Sequence, residues 1–148
     1  MNSASDPVKI HFKLEQDEEG YPPVGWESLW ATPVGEALYI LDNTPFYARG
    51  VSSGDTVTAV VVNGRLEFTK LAEPGGHSTI RVVAFDEHIV PELRASLKRL
   101  GCSSEVSNLP AFLAVDVPPV VDYARVMELI ESYAASGSID YEESSIQH

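Results

Sequence analysis

A change of hydrophobic period near residue 79 constrains this chain more than any other feature. Upstream of it, apolar residues alternate. Val8, Ile10, Phe12 and Leu14 interleave with Lys9, His11, Lys13 and Glu15, the period of two that marks a half-buried strand. Further strands are expected over 27–32, 37–41, Thr56–Val62 and 65–71, with Pro33-Val34-Gly35 turning the second into the third. Asn63-Gly64 separates two of these runs, and both residues tolerate the positive φ of a tight hairpin. Residues 8–71 thus predict about five strands and no helix, which makes a small bent sheet or partial barrel.

Downstream, helical spacing appears. Ile89, Leu93, Leu97 and Leu100 recur every three or four residues over 88–100, one face of a helix. Pro91 fits only its first turn, Lys98 and Arg99 suit its last, and Gly101 stands at the C-cap. A second helix over 122–135 has Asp122 as N-cap, Val126, Ile130 and Tyr133 as its stripe, and Gly137 beyond its end. Strands are expected at 79–85, 103–107, Phe112–Val117 and 139–143. The resulting order, β-α-β-β-α-β, is that of a ferredoxin-like unit. The fold class is therefore α+β. Residues 1–148 form one module with a β-rich half (7–73) and a ferredoxin-like half (77–145). The run Ala72-Glu73-Pro74-Gly75-Gly76 is the candidate boundary.

Residues 41–55 form the hinge of the first half. Asp42-Asn43-Thr44-Pro45 stops a strand, because Pro45 fixes its own φ and the polar side chains bond nearby backbone. Phe46 and Tyr47 then return the chain to an apolar interior, with Arg49 the one cation among them. Trp26, Trp30, Tyr39, Phe46 and Tyr47 are expected to form the core of this half or to line a ligand pocket. In that setting Arg49 needs an acid, Asp42 or Asp55, or a ligand anion.

Charge and composition exclude several classes. With 22 acids against 10 bases the net charge is −12, which repels phosphate backbones and argues against general nucleic-acid binding. It suits a basic protein partner. No apolar run reaches the length of a membrane span, and the first nine residues lack the charged and apolar regions of a secretory leader. The expected location is the cytoplasm and the expected state a monomer or weak homodimer. A single cysteine, Cys102, permits no internal disulfide. It follows a helix C-terminus, where the dipole disfavours a thiolate. The four histidines fall at no recognised metal-ligand spacing, and no phosphate-cradling or dinucleotide glycine motif is present. No cofactor or metal is expected.

The best candidate for chemistry is Gly75-Gly76-His77-Ser78-Thr79 with Arg81. Its glycines permit close backbone approach, and His77, Ser78 and Arg81 can hold an anion. As a catalytic residue His77 is the weak candidate, with Asp55 or Asp42 to orient it. Adjacent side chains on an extended segment point to opposite faces, which disfavours a His77–Ser78 pair.

Tyr21-Pro22-Pro23, Glu27-Ser28-Leu29-Trp30-Ala31, Asp42 through Gly50, Gly54-Asp55-Thr56-Val57 and Gly76-His77-Ser78-Thr79 follow in order. Leu100-Gly101-Cys102 and Asp116-Val117-Pro118-Pro119 complete the series. In order and spacing the chain resembles the bacterial DUF4265 family. That resemblance implies a bacterial, soluble, single-module protein and transfers no activity. Three functions are expected in rank order. The first is a non-enzymatic, acidic protein-binding module, such as an immunity-type inhibitor of a basic toxin. The second is a regulatory domain holding an anionic metabolite through Arg49, His77, Ser78 and Arg81 at the junction of the halves, with Trp30 and Tyr47. The third is an enzyme using His77.

Overall fold

The computed structural model describes residues 6–109 and 111–148, and the chain divides into two units, ending at Gly75 and beginning at Gly76. The first unit is built from β1 (Val8–Lys13), β2 (Trp26–Gly35), β3 (Leu38–Leu41), β4 (Thr56–Val62) and β5 (Arg65–Glu73). Each strand pairs antiparallel with the next, and β1 closes the ring by pairing in parallel with β5. The bent sheet is thus a closed barrel. Register shifts in the β2–β3 and β4–β5 ladders bend the strands enough to allow closure.

Two local expectations fail here. β2 runs through Pro33 to Gly35, and the turn falls at Glu36-Ala37, where Ala37 takes φ 56°. Pro33 lies opposite Tyr39 beside the register shift, and a bulge is where a residue without an N–H fits inside a ladder. Of the aromatic set, Tyr39 packs against the core, but the other four do not form it. Trp26 and Trp30 are 37% and 45% exposed, and Phe46 and Tyr47 are only half-buried. The interior belongs to Ile10, Phe12, Leu29, Ala31, Leu41, Ala48, Val51, Val57 and Ala59. Aliphatic and small side chains thus fill most of it, with Phe12 stacked on Phe68 as its aromatic part. At Asn63-Gly64 the hairpin is as expected, with φ of 52° and 81°.

The second unit contains β6 (Ser78–Ala84), a 3₁₀ turn (Glu87–Ile89), α1 (Val90–Arg99), β7 (Ser103–Val106), β8 (Phe112–Val117), α2 (Tyr123–Ala135) and β9 (Ile139–Ser145). Its four strands are antiparallel in the order β7-β8-β6-β9. Val90, Leu93 and Leu97 of α1 and Val126 and Ile130 of α2 pack on Ile80, Val82, Leu113, Val115 and Val117. Both helices stop as their glycines predict. Gly101 and Gly137 take positive φ, and the amides around each return to the last-turn carbonyls: Gly101 to Lys98, Cys102 to Leu97, Gly137 to Ala134, Ser138 to Tyr133. α1 begins two residues later than expected because Asp86 caps the preceding 3₁₀ turn, accepting from the His88 amide at 2.9 Å.

Cys102 is 2% exposed, and burial, aided by the Asp116 charge, pushes its thiol up to about 11. The native protein should therefore resist Ellman's reagent at pH 8 and react stoichiometrically once unfolded. Rapid labelling without denaturant would contradict this packing.

Candidate functional site

The residues 42–53 leave the barrel after β3 and return at β4 through a closed neck. Leu41 donates its amide to the Asp55 carbonyl (2.9 Å) and accepts from the Gly54 amide (2.7 Å). Asp55 is fully buried and takes the amides of Ser52 and Gly75, each at 2.9 Å. A loop this long with its ends tied is a compact element, and it sends Ala48 and Val51 into the barrel core. Glu27 on β2 holds its far side. The two carboxylate oxygens accept from the amides of Phe46 (2.7 Å), Tyr47 (3.1 Å) and Ala48 (2.8 Å). Charge-assisted bonds of this kind are among the stronger ones in proteins. Nothing in periodicity marks Glu27 for this role; its signal is its place in the Glu27–Ala31 segment that carries the family resemblance.

The loop is one wall of a cavity of about 410 Å³ in the barrel unit, within the size range of small-molecule sites. The end of β1 contributes Phe12, Lys13 and Leu14. The connection to β2 contributes Glu15, Asp17, Tyr21 and Pro22, the loop Tyr47, Ala48 and Arg49, and β5 Phe68. Phe12 and Phe68 stack at 4.5 Å and Tyr21 meets Tyr47 edge-on at 6.1 Å. Lys13 and Arg49 are exposed on the rim. Asp17 is engaged in its own turn, accepting from the amides of Glu19 and Tyr21. The structure therefore brings together Tyr47 and Arg49 of the expected ligand residues, and adds Phe12, Lys13, Tyr21 and Phe68. Arg49 is a rim residue and not a cation buried among aromatics.

Trp30 lies elsewhere, on the outer wall of the barrel with the Lys9 ammonium 5.0 Å from its ring centroid. The other expected residues belong to the second unit. His77 Nδ1 is 2.9 Å from Asp116 Oδ1, so Asp116 is its carboxylate partner where Asp55 or Asp42 was expected. Ser78, fully buried, faces the other way: its hydroxyl is 2.6 Å from His148 Nδ1 and accepts from the Gln147 amide. Arg81 is 3% exposed, in register with Ala114 and Glu142 on its neighbouring strands. His77 and Ser78 do not form a base–nucleophile pair. Among the described residues no group of three or more His, Cys, Asp or Glu side chains is placed to hold a metal ion. Nor, among them, is any helix long and apolar enough to cross a membrane.

Burial raises the Asp116 carboxyl above the ordinary aspartate range, while the His77 hydrogen bond pulls it down. A raised acid favours the native state when protonated. That contribution is present below the ordinary value near pH 4 and is lost as pH rises through the raised one. Asp116→Asn should flatten the melting temperature against pH between about pH 4 and the raised value of Asp116; a variant curve parallel to wild type there would contradict the assignment.

Fold and cavity define a two-unit α+β protein with an aromatic, cation-rimmed pocket in its barrel. The chain belongs to the family described as a domain of unknown function, DUF4265, a model of which matches residues 27–141. It is similar over 95% of its length to 96% of a hypothetical protein from Neisseria gonorrhoeae known from a crystal structure, with a TM-score of 0.82 and 20% identity. At that identity the likeness is one of fold. No curated protein matches.

Proposed function

We propose that this protein is a non-catalytic binding module whose barrel unit holds a small anionic molecule with an apolar body. The cavity carries the reading: Phe12, Phe68, Tyr21 and Tyr47 offer rings for the body, while Arg49 stands on the rim for the anionic group. Thermal-shift screening of aromatic carboxylates and phosphate esters tests it. At least one compound should raise the melting temperature of wild type, and Arg49→Ala, compared against its own unliganded melting temperature, should abolish that rise. A rise that survives Arg49→Ala, or no rise with any compound, would overturn it.

A second reading rests on the net charge of −12. An acidic module of this size masks a basic protein by charge complementarity, as an immunity-type inhibitor masks a toxin. Native capture of tagged protein at low and moderate salt tests it. One stoichiometric basic partner released by salt supports it, and an empty capture at low salt counts against it. We read the second unit as ferredoxin-like, on the strand order β7-β8-β6-β9 with both helices packed on one apolar sheet face. We place the protein in a bacterial cytoplasm, where the buried thiol of Cys102 suits a reducing medium.

A further inference from the structure

Trp26 and Trp30 are the two tryptophans of the chain, and both stand on the outer wall of the barrel. There β1 lies between β2 and β5. Lys9 is in register with Trp30, His11 with Ser28 and Lys13 with Trp26, while His11 is in register with Glu67 across the other ladder. The strand period sends these side chains outward, because the alternate residues Ile10, Phe12 and Leu29 fill the core. The Arg65 guanidinium carbon lies 4.1 Å from the Trp26 ring centroid, and Arg65 Nε is 3.3 Å from Glu67.

The local charge of this wall opposes that of the chain. Through Gly75 the sequence has eleven acids and five bases, yet Lys9, Lys13 and Arg65 stand here against two acids, Glu67 and Asp42, the latter donating its amide to the Trp30 carbonyl. The Glu27 carboxylate is turned away, onto the amides of the 42–53 loop. Independently, the His11 imidazole is held below its ordinary value, by burial first and then by Arg65, with Lys9 acting in the same direction and Glu67 against it.

We propose that this wall docks a short acidic segment of another protein, its carboxylates on Lys9, Lys13 and Arg65 and an apolar side chain against the indoles. Tryptophan and arginine are the side chains that most often dominate protein interfaces. Four residues separate the tryptophans, about 13 Å along the strand, and three strands span about 10 Å across. An extended segment of four or five residues covers that area. Since β1, β2 and β5 are each paired on both sides, recognition runs through side chains and not through strand addition. A nucleic-acid strand fits the wall less well. It outruns the three cations onto a chain whose net charge is −12.

Tryptophan emission reports this wall and nothing else, because no other tryptophan exists. The probe is a capped pentapeptide of alternating glutamate and leucine, titrated into the full chain at about 0.02 M and about 0.5 M NaCl. The expected result is a saturable change with a midpoint below about 1 mM at low salt, weakened at least about tenfold at high salt. The double variant Lys9→Glu/Arg65→Glu, matched to wild type in circular dichroism and melting temperature, should lose it, and Lys70→Glu should keep it. The salt series on wild type stands whether or not the double variant folds. An absent or salt-insensitive change would overturn the proposal, as would one retained by a folded double variant. So would tighter binding of an oligothymidylate, which would reassign the wall to single-stranded nucleic acid. An emission change driven by protein concentration alone would reassign it to a second copy of this chain.

Discussion

Glu27→Ala should lower stability by about 3 kcal/mol, or roughly 10 °C in melting temperature for a chain of this size. The side chain accepts three backbone amides, those of Phe46, Tyr47 and Ala48. Its removal takes the carboxylate acceptor from all three amides, in a loop outside the ladders of the barrel. Each bond to a charged acceptor contributes about 1.5–3 kcal/mol, and water reaching the half-buried loop returns part of the loss. Glu27→Gln should cost less, because an amide keeps one acceptor oxygen but turns donors toward donors. The same substitution has a second readout. Tyr47, Ala48 and Arg49 line the cavity, so Glu27→Ala should also erase any ligand-induced thermal shift. An alanine variant that melts with wild type would remove Glu27 from its place as organiser of the loop.

Gly75→Ala should be comparably damaging through a different mechanism. A Cβ at that position would lie 2.7 Å from the Gly54 carbonyl carbon and nearer still to its oxygen. Both are backbone atoms, so no rotamer change relieves the overlap. Either the Gly54-Asp55 turn shifts, or the amide of Gly75 leaves Asp55. Overpacking against fixed atoms costs about 1–3 kcal/mol, and a lost bond to the buried Asp55 carboxylate adds about 1.5–3 kcal/mol. Chemical denaturation of Gly75→Ala beside Gly25→Ala separates this from a general glycine effect, since a Cβ at Gly25 meets nothing within 4 Å. Equal midpoints for the two variants would show that the close approach carries no energy.

The elements themselves were legible because each has a local cause. Alternation along Val8–Lys13, the positive φ available to Asn63-Gly64, and the stripe Leu93-Leu97 closed by Gly101 act within a few residues. Sequence order therefore carries them intact. Pro33 misled because a proline usually ends a strand, whereas here a register shift absorbs it. The tryptophans misled for a related reason. Hydrophobicity says that an indole gains by burial, but strand register decides which face it takes, and Leu29 and Ala31 hold the inner one. Of the site, Arg49 and Tyr47 were visible because they interrupt a turn-rich stretch. Phe12, Phe68 and Glu27 were not, because they come from three strands that meet only when the barrel closes.

By itself, then, the sequence determined the period of each segment, the places where helices and hairpins stop, and a mean charge of strongly acidic sign. These are sums over neighbours along the chain. Tertiary structure alone decided which carboxylate meets which donor: Glu27 the loop amides, Asp55 the Gly75 amide, Asp116 and not Asp55 the His77 ring. It also decided that three cations and both tryptophans share one wall of an acidic molecule. Hydrogen bonds and Coulomb interactions fall off within a few ångströms, so their partners are chosen by distance in space, which the barrel closure of β1 on β5 creates and sequence separation does not encode.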